Sequence, residues 1–491
     1  MIPQNSPSQW KTALLLGATI FFSFVYFYEG GGWNQNSRFD LLRAIVERHT
    51  LKIDAYHQNT EDKAHFREHY YSDKAPGLVL LALPIAFAAR PVIGMFGVDP
   101  MSPRGEFILS YVVTAGSVAL PTTLAAVWLF LFGCRIGGTA AGAFGALVLA
   151  LGTPIWAYAN LFWAHALVGS CLVYALAAGI RIGSGASQRS DFFWALCLGL
   201  AAGWATVTEY PAAPASTILA FFALSRAWSH GSGTRWTVIV GVSLGAGICL
   251  IVLLGYLYLA FGSVRPSYSY YDPNSFTFMQ QHGYLGLTYP HPDRLLKLLF
   301  QCRRGLFFLS PVVICAPFGL VYLYRSTLNR AAAATAAAIA AYYFLFNASF
   351  YEWKGGLAFG PRYASAGIPL LCLGLPAVWE RATPRWRKAI LMLATVSIAI
   401  ALMVVSTTSQ LSMVDSCPLF HSTWPAFWSG QMAMNHVSML TVDEAAANPT
   451  YCAFNLGQLI GLHGLASLLP LLASWVLAAL IWMRLRHGVA G

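Results

Sequence analysis

Long uncharged apolar runs alternate along the chain with short charged connectors. The runs occupy residues 12 to 28, 107 to 132, 137 to 156, 160 to 180, 236 to 261, 305 to 324, 331 to 351, 363 to 379, 389 to 407 and 457 to 483. Each matches the roughly 17 to 25 residues with which a helix crosses a bilayer. Two shorter runs, 192 to 208 and 211 to 225, are separated by Glu209-Tyr210-Pro211 and predict a helical hairpin. The expectation is an all-α polytopic membrane protein with about twelve transmembrane helices. Residues 1 to 491 form one transmembrane domain with no soluble domain beyond its loops. The segment 76 to 97 is apolar but interrupted by Pro84, Arg90 and Pro91.

Positive charge orients the spans, because lysine and arginine accumulate in short cytoplasmic loops. If 76 to 97 does not cross, Arg135, Arg181, Arg226, Arg325, Arg381 and the tail with Arg484 all fall inside. One further crossing would put all of them outside. We therefore expect 76 to 97 to be an interfacial or re-entrant helical pair at the outer surface, with both termini cytoplasmic. The outer side then receives residues 30 to 106, 262 to 303, 352 to 362 and 408 to 456. No small-residue cleavage site follows the first apolar run, so 12 to 28 reads as a retained anchor.

Composition agrees with this picture and narrows the function classes. The chain is 57% hydrophobic and only 10% charged, with a mean hydropathy of +0.57, too few charges to coat a soluble surface. The formal net charge of +11 sits mostly beside apolar spans, so it reports topology and not a nucleic-acid partner. Six of the nine cysteines lie in or at the ends of apolar runs and read as small buried thiols. Cys417 and Cys452 share the last outer segment and are the expected disulfide pair.

The outer segments carry the conspicuous polar chemistry, among them Arg265, Asp272, Arg303 and Glu352. In the first, Phe39, Leu42, Ile45 and Val46 fall at helical spacing after Trp33 and predict a short amphipathic juxtamembrane helix lying on the membrane. Asp40 falls in its first turn beside Arg38, where the bland role is a capping carboxylate paired to Arg43. Asp54 is a second carboxylate of this loop and Asp73 a third. The stretch Tyr70-Tyr71-Ser72-Asp73-Lys74-Ala75-Pro76-Gly77 puts a lysine before an apolar helix, where the helix dipole disfavours it. A bound anion accounts for Lys74 better than snorkelling does.

A second cluster is Trp353-Lys354-Gly355-Gly356, continuing to Arg362-Tyr363. Its glycines permit close approach, Arg362 offers a phosphate-binding fork and Trp353 a face for a sugar. The bland alternative is an interfacial anchor with a flexible turn. Lys354 and Arg304 are further candidate phosphate ligands, and Arg38, Tyr71, Tyr363, His165 and Glu209 candidate substrate contacts. A lone histidine such as His165 is commonly a hydrogen-bonded packing residue. The motifs of zinc proteases, lipases, P-loop ATPases and dinucleotide enzymes do not occur.

A long first outer loop with an acidic residue near its start, closed by Tyr71-Ser72-Asp73-Lys74-Ala75-Pro76, resembles the GT-C superfamily of integral-membrane glycosyltransferases. It is most similar to the polyprenyl-phosphate-sugar enzymes that include the lipid A aminoarabinose transferases and protein O-mannosyltransferases. Their Glu-Lys-Pro-Pro turn looks like Asp73-Lys74-Ala75-Pro76. The resemblance implies an inverting transfer on the extracytoplasmic face of the cell membrane, from a polyprenyl-phosphate-linked sugar to an acceptor hydroxyl. It implies Asp40 as base, with Lys74 and Arg362 holding the phosphate. Where many members carry Asp-Glu before an Arg-aromatic pair, this chain has Gln35-Asn36 before Arg38-Phe39, which leaves Asp54 and Asp73 open as the base. The chemistry requires no cofactor and no metal, although some GT-C members use divalent ions. The expected partners are the lipid-linked sugar and membrane lipids, with the protein a monomer. The alternative function is a flippase or transporter of lipid-linked saccharides, which predicts charges deep within several spans and an internal repeat; neither is evident.

Overall fold

The computed structural model describes residues 6–184, 187–228, 230–270, 282–445 and 448–487. Tyr271 and Asp272 of the second polar segment lie outside the described residues. Helix α1 (Pro7–Val25) opens on a capping box in which Ser6 and Gln9 each bond the other's backbone N–H. It is followed by β1 (Phe27–Glu29), α2 (Trp33–Arg48) and the hairpin β2 (Lys63–Phe66) and β3 (His69–Ser72). Helices α3 (Gly77–Met95), α4 (Pro103–Thr114) and α5 (Leu120–Leu151) come next. After the short α6 (Ile155–Ala159), α7 (Ala164–Arg181), α8 (Gln188–Thr208), α9 (Ala213–Trp228) and α10 (Ser232–Phe261) build the middle of the bundle. The later half adds long helices at Arg330–Ser349, Pro384–Thr407 and Leu469–His487.

The architecture is that of a multi-pass membrane protein, but the number of spans differs from twelve. Among the described residues, eight helices are long and apolar enough to cross a membrane. The expected first span, α1, is not among the eight, and three further expected runs are shorter or broken. The run from 363 breaks at Gly367, Gly374 and Pro376 into alternating 3-10 and α pieces. The run from 305 breaks at Pro311, where a backbone donor is missing, and α9 has only 16 residues. In the opposite sense, the apolar stretch Pro103–Leu151 folds back on itself at Gly137 and Gly138, the latter at φ 75°. Gly142 thereby lies against the Phe130 carbonyl and Cys134.

Segment 76 to 97 is one continuous helix, α3, and not a helical pair. Pro84 and Pro91 lie inside it without breaking it, and it is one of the eight helices long and apolar enough to span. Gly77 at its start abuts Thr208 at the end of α8. Arg90 in its second half pairs with Glu47 of α2 at 3.8 Å and Glu106 of α4 at 3.5 Å.

Helix α2 forms where expected but is buried throughout residues 35 to 44 instead of lying on the surface. The β2–β3 hairpin and the residues around 438 to 444 cover it. Asn36 donates to the carbonyls of Asn59 and Ser438, and Arg43 forks onto Glu444 at 3.0 and 3.1 Å. The hairpin turns at Arg67 and Glu68, both left-handed at φ 49° and 63°, the backbone of a two-residue turn. A second ribbon pairs β1 antiparallel to Ala453–Asn455, so the exit of the first helix is stitched to the last loop.

The expected Cys417–Cys452 bridge is replaced by Cys302–Cys417, with the Cα atoms 5.1 Å apart. Arg303 explains the pairing, since it donates to the carbonyls of Val414 and Asp415 and brings its neighbour Cys302 against Cys417. Cys452 is a buried free thiol whose carbonyl accepts from Gly30 beside the first ribbon.

Candidate functional site

Two ionic groups meet where the ends of α2, α7 and α8 converge with the turn before α3. The first is centred on Lys74. Its ammonium lies 2.8 Å from Asp62 and 2.9 Å from Asp73. Asp73 is fully buried, accepts from Ser37 Oγ of α2 at 3.2 Å, and its carbonyl accepts from Ser267 Oγ at 2.6 Å. Burial raises the Asp73 carboxyl pKa against the pull of Lys74. Burial also acts to lower that of the lysine, but Asp62 and Asp73 outweigh it and hold the ammonium above its ordinary value.

The second group is a relay of charge from α2 to the loop at 362. Arg38 reaches Glu209 at 3.9 Å. Glu209 accepts from His165 Nδ1 at 2.8 Å, and His165 Nε2 accepts from Arg362 Nε at 3.1 Å. That pattern places the imidazole proton on Nδ1. Arg362 also donates to the Gly355 carbonyl at 2.9 Å and lies over the Trp163 ring at 4.2 Å. Glu209 is pulled below the usual carboxylate range by His165, Arg38 and Arg362, which outweigh the larger opposing effect of burial. Arg38 is lowered by burial, and its field includes Glu209, Asp73 and Arg362, so the two groups act on each other. Tyr363 lies in the field of both Arg362 and Lys74.

The structure brings Asp73, Lys74, Arg362, Arg38, His165, Glu209 and Tyr363 together. Other expected site residues lie elsewhere. Asp40 is two positions beyond Arg38, and at 3.6 residues per turn that places it on the opposite face of α2. There it accepts from Asn59 at 3.2 Å, its other oxygen without a hydrogen-bond partner, and burial raises its pKa well above the ordinary value. Asp54 braces the hairpin, accepting from His69 Nδ1 at 2.8 Å and the Tyr70 N–H at 2.7 Å.

Arg304 is wholly buried and spends its guanidinium on the carbonyls of Lys354, Gly356 and Ala358. It moulds the loop that presents Arg362, instead of facing a ligand, and burial lowers its pKa to about 10. Lys354 contributes its carbonyl to Arg304, Trp353 lies under Lys297 at 5.8 Å, and Tyr71 packs on Phe261 at 5.1 Å.

Asp62 and Trp163 belong to the site and carried no signal in the sequence. Asp62 sits in an ordinary charged loop, and Trp163 reads as one more aromatic in an apolar run. Among the described residues no three His, Cys, Asp or Glu side chains converge as a metal ion requires. Asp62 and Asp73 are both engaged by Lys74.

No family model and no curated protein matches the sequence. Solved structures do match the fold. Apo ArnT from Cupriavidus metallidurans superposes with a TM-score of 0.50 at 17% identity, over 79% of this chain and 63% of ArnT. The same ArnT bound to undecaprenyl phosphate gives 0.48 at 16%, over 79% and 63%. The Archaeoglobus fulgidus oligosaccharyltransferase AglB, in complex with an inhibitory peptide and a dolichol-phosphate, gives 0.44 at 11%, over 81% and 55%. The chain shares the fold of apo ArnT. It spans 63% of the length of ArnT.

Proposed function

We propose that this protein is an inverting glycosyltransferase that moves a sugar from a polyprenyl-phosphate donor to an acceptor hydroxyl on the extracytoplasmic face of the cell membrane. The observation that carries the reading is the pair of half-buried cations, Lys74 paired to Asp62 and Asp73 and Arg362 bonded to His165 and the Gly355 carbonyl, at the converging helix ends of a GT-C fold. A membrane-embedded protein gains nothing in stability from burying such charges, so their presence argues for a ligand.

In this reading Lys74 and Arg362 bind the donor phosphate and offset the charge that builds on it as the glycosidic bond breaks. The Trp163 face and His165 fix the Arg362 guanidinium in advance. Of the three carboxylates expected from the sequence, Asp73 alone shares the site, and it takes the base role. The acceptor oxygen attacks the anomeric carbon, its proton passes to Asp73, and the bonding pair of the cleaved C–O bond leaves with the polyprenyl phosphate.

The test is transfer from a polyprenyl-phosphate sugar by the purified protein. Lys74→Ala and Asp73→Asn should each lose about 10²-fold or more of the rate, while Asp40→Asn and Asp54→Asn retain it. Full transfer by Lys74→Ala and Asp73→Asn together would remove the site assignment. Lipid movement across the bilayer without covalent transfer would favour the flippase reading instead.

A further inference from the structure

Lys74 carries one positive charge and is met by two carboxylates. An incoming phosphate therefore approaches a centre that is already over-neutralised. Binding there requires one carboxylate to give way, and the two are held very differently. Asp73 is fully buried, bonded to Ser37, and its backbone is clamped by Ser267. Asp62 lies in the loop between Asn59 and the start of β2, with 16% of its side chain exposed. Its backbone N–H bonds Thr60 Oγ1 at 3.1 Å, and among the described residues Lys74 is the ionic partner of its carboxylate.

We infer that Asp62 occupies the place of the donor phosphate at Lys74 in the empty site and yields it to the ligand, which tunes the site to a phosphodiester. This rests on the glycosyltransferase reading above. A polyprenyl-phosphate-linked sugar is a phosphodiester of charge −1, so exchanging it for the Asp62 carboxylate leaves the charge at Lys74 unchanged. Transfer breaks the bond between the anomeric carbon and the phosphate oxygen and leaves a phosphomonoester, whose second ionisation near pH 6 brings it toward −2. The extra charge faces the returning Asp62, and Asp73 once it has released the acceptor's proton, so the same carboxylate that admits the donor assists in expelling the product. Asp62 is in this sense a specificity residue, acting through charge at Lys74 and taking no proton itself.

The experiment is equilibrium binding of two probes to the full-length protein in lipid nanodiscs: a polyprenyl monophosphate and the methyl ester of that phosphate. Wild type should prefer the phosphodiester. Asp62→Asn should gain affinity for the monophosphate by about tenfold or more, and for the ester by less, because removing one charge at this distance shifts a dianion more than a monoanion. Asp62→Ser should show the same gains, which separates charge from loop shape. Monophosphate binding no tighter in either variant than in wild type, with binding lost in Lys74→Ala, would overturn the role of Asp62 alone. Unchanged binding in Lys74→Ala would overturn the headgroup site with it.

Discussion

Arg38 and Asp40 are separated by one residue in the chain and by the thickness of a helix in space. Arg38 faces Glu209 in the ionic site, whereas Asp40 faces Asn59 on the far side of α2. The position of Asp40 has a consequence for stability. Its folded pKa is raised by burial, so above the ordinary carboxylate range near 4 the unfolded chain releases a proton that the folded chain retains. Stability contributed by Asp40 thus falls as pH rises through that range. Asp40→Asn removes the penalty, and thermal unfolding in detergent should show a melting temperature equal to or above wild type, with the difference growing from pH 5 to pH 8. A lower melting temperature at pH 8 would show that the carboxylate is bound as an anion.

The same residues mark what the sequence could reveal. Lys74 was legible because a lysine before an apolar helix is electrostatically misplaced without an anion, and Arg362 because glycines precede it. Asp62 was not, because its role depends on a hairpin that returns it to Lys74 from twelve positions away.

At the scale of elements, small residues decide how closely helices approach. Gly199 of α8 and Gly245 of α10 face each other so tightly that a Cβ on Gly199 would stand 2.4 Å from the Val242 carbonyl. Backbones in a bilayer pack at such contacts without a hydrophobic driving force. Gly199→Leu should therefore destabilise the fold by about 1–3 kcal/mol, read as a lowered melting temperature. The Cys302–Cys417 bridge joins two loops 115 residues apart in sequence, and peptide mapping without reductant should recover 302 linked to 417 with Cys452 free. The sequence placed Cys417 and Cys452 in one segment but could not report distance. The backbone contacts of Arg303 that position Cys302 are invisible until the chain is folded. The continuous α3 was likewise obscured, because prolines that break isolated helices are tolerated when neighbouring helices support the chain.

For the whole molecule, an all-α polytopic architecture followed from hydropathy alone, while the number of spans did not. Proline and glycine divided some apolar runs, and a glycine pair folded one long stretch into two. With α3 not crossing, the charge bias of the connectors predicts that the ionic site faces outward. A cysteine replacing exposed His65 on the hairpin should react with an impermeant maleimide in intact cells, and one replacing Arg385 should react only after permeabilisation. Labelling in the reverse order would invert the topology.

The central claim is that Lys74 and Arg362 together receive a polyprenyl phosphate. A structure of the protein with polyprenyl phosphate tests it most directly. The expected result is a phosphate oxygen within about 3 Å of Lys74 Nζ, Arg362 on the same phosphate, and Asp62 withdrawn from the lysine. A phosphate bound elsewhere, with the Lys74 contacts to Asp62 and Asp73 intact, would contradict it.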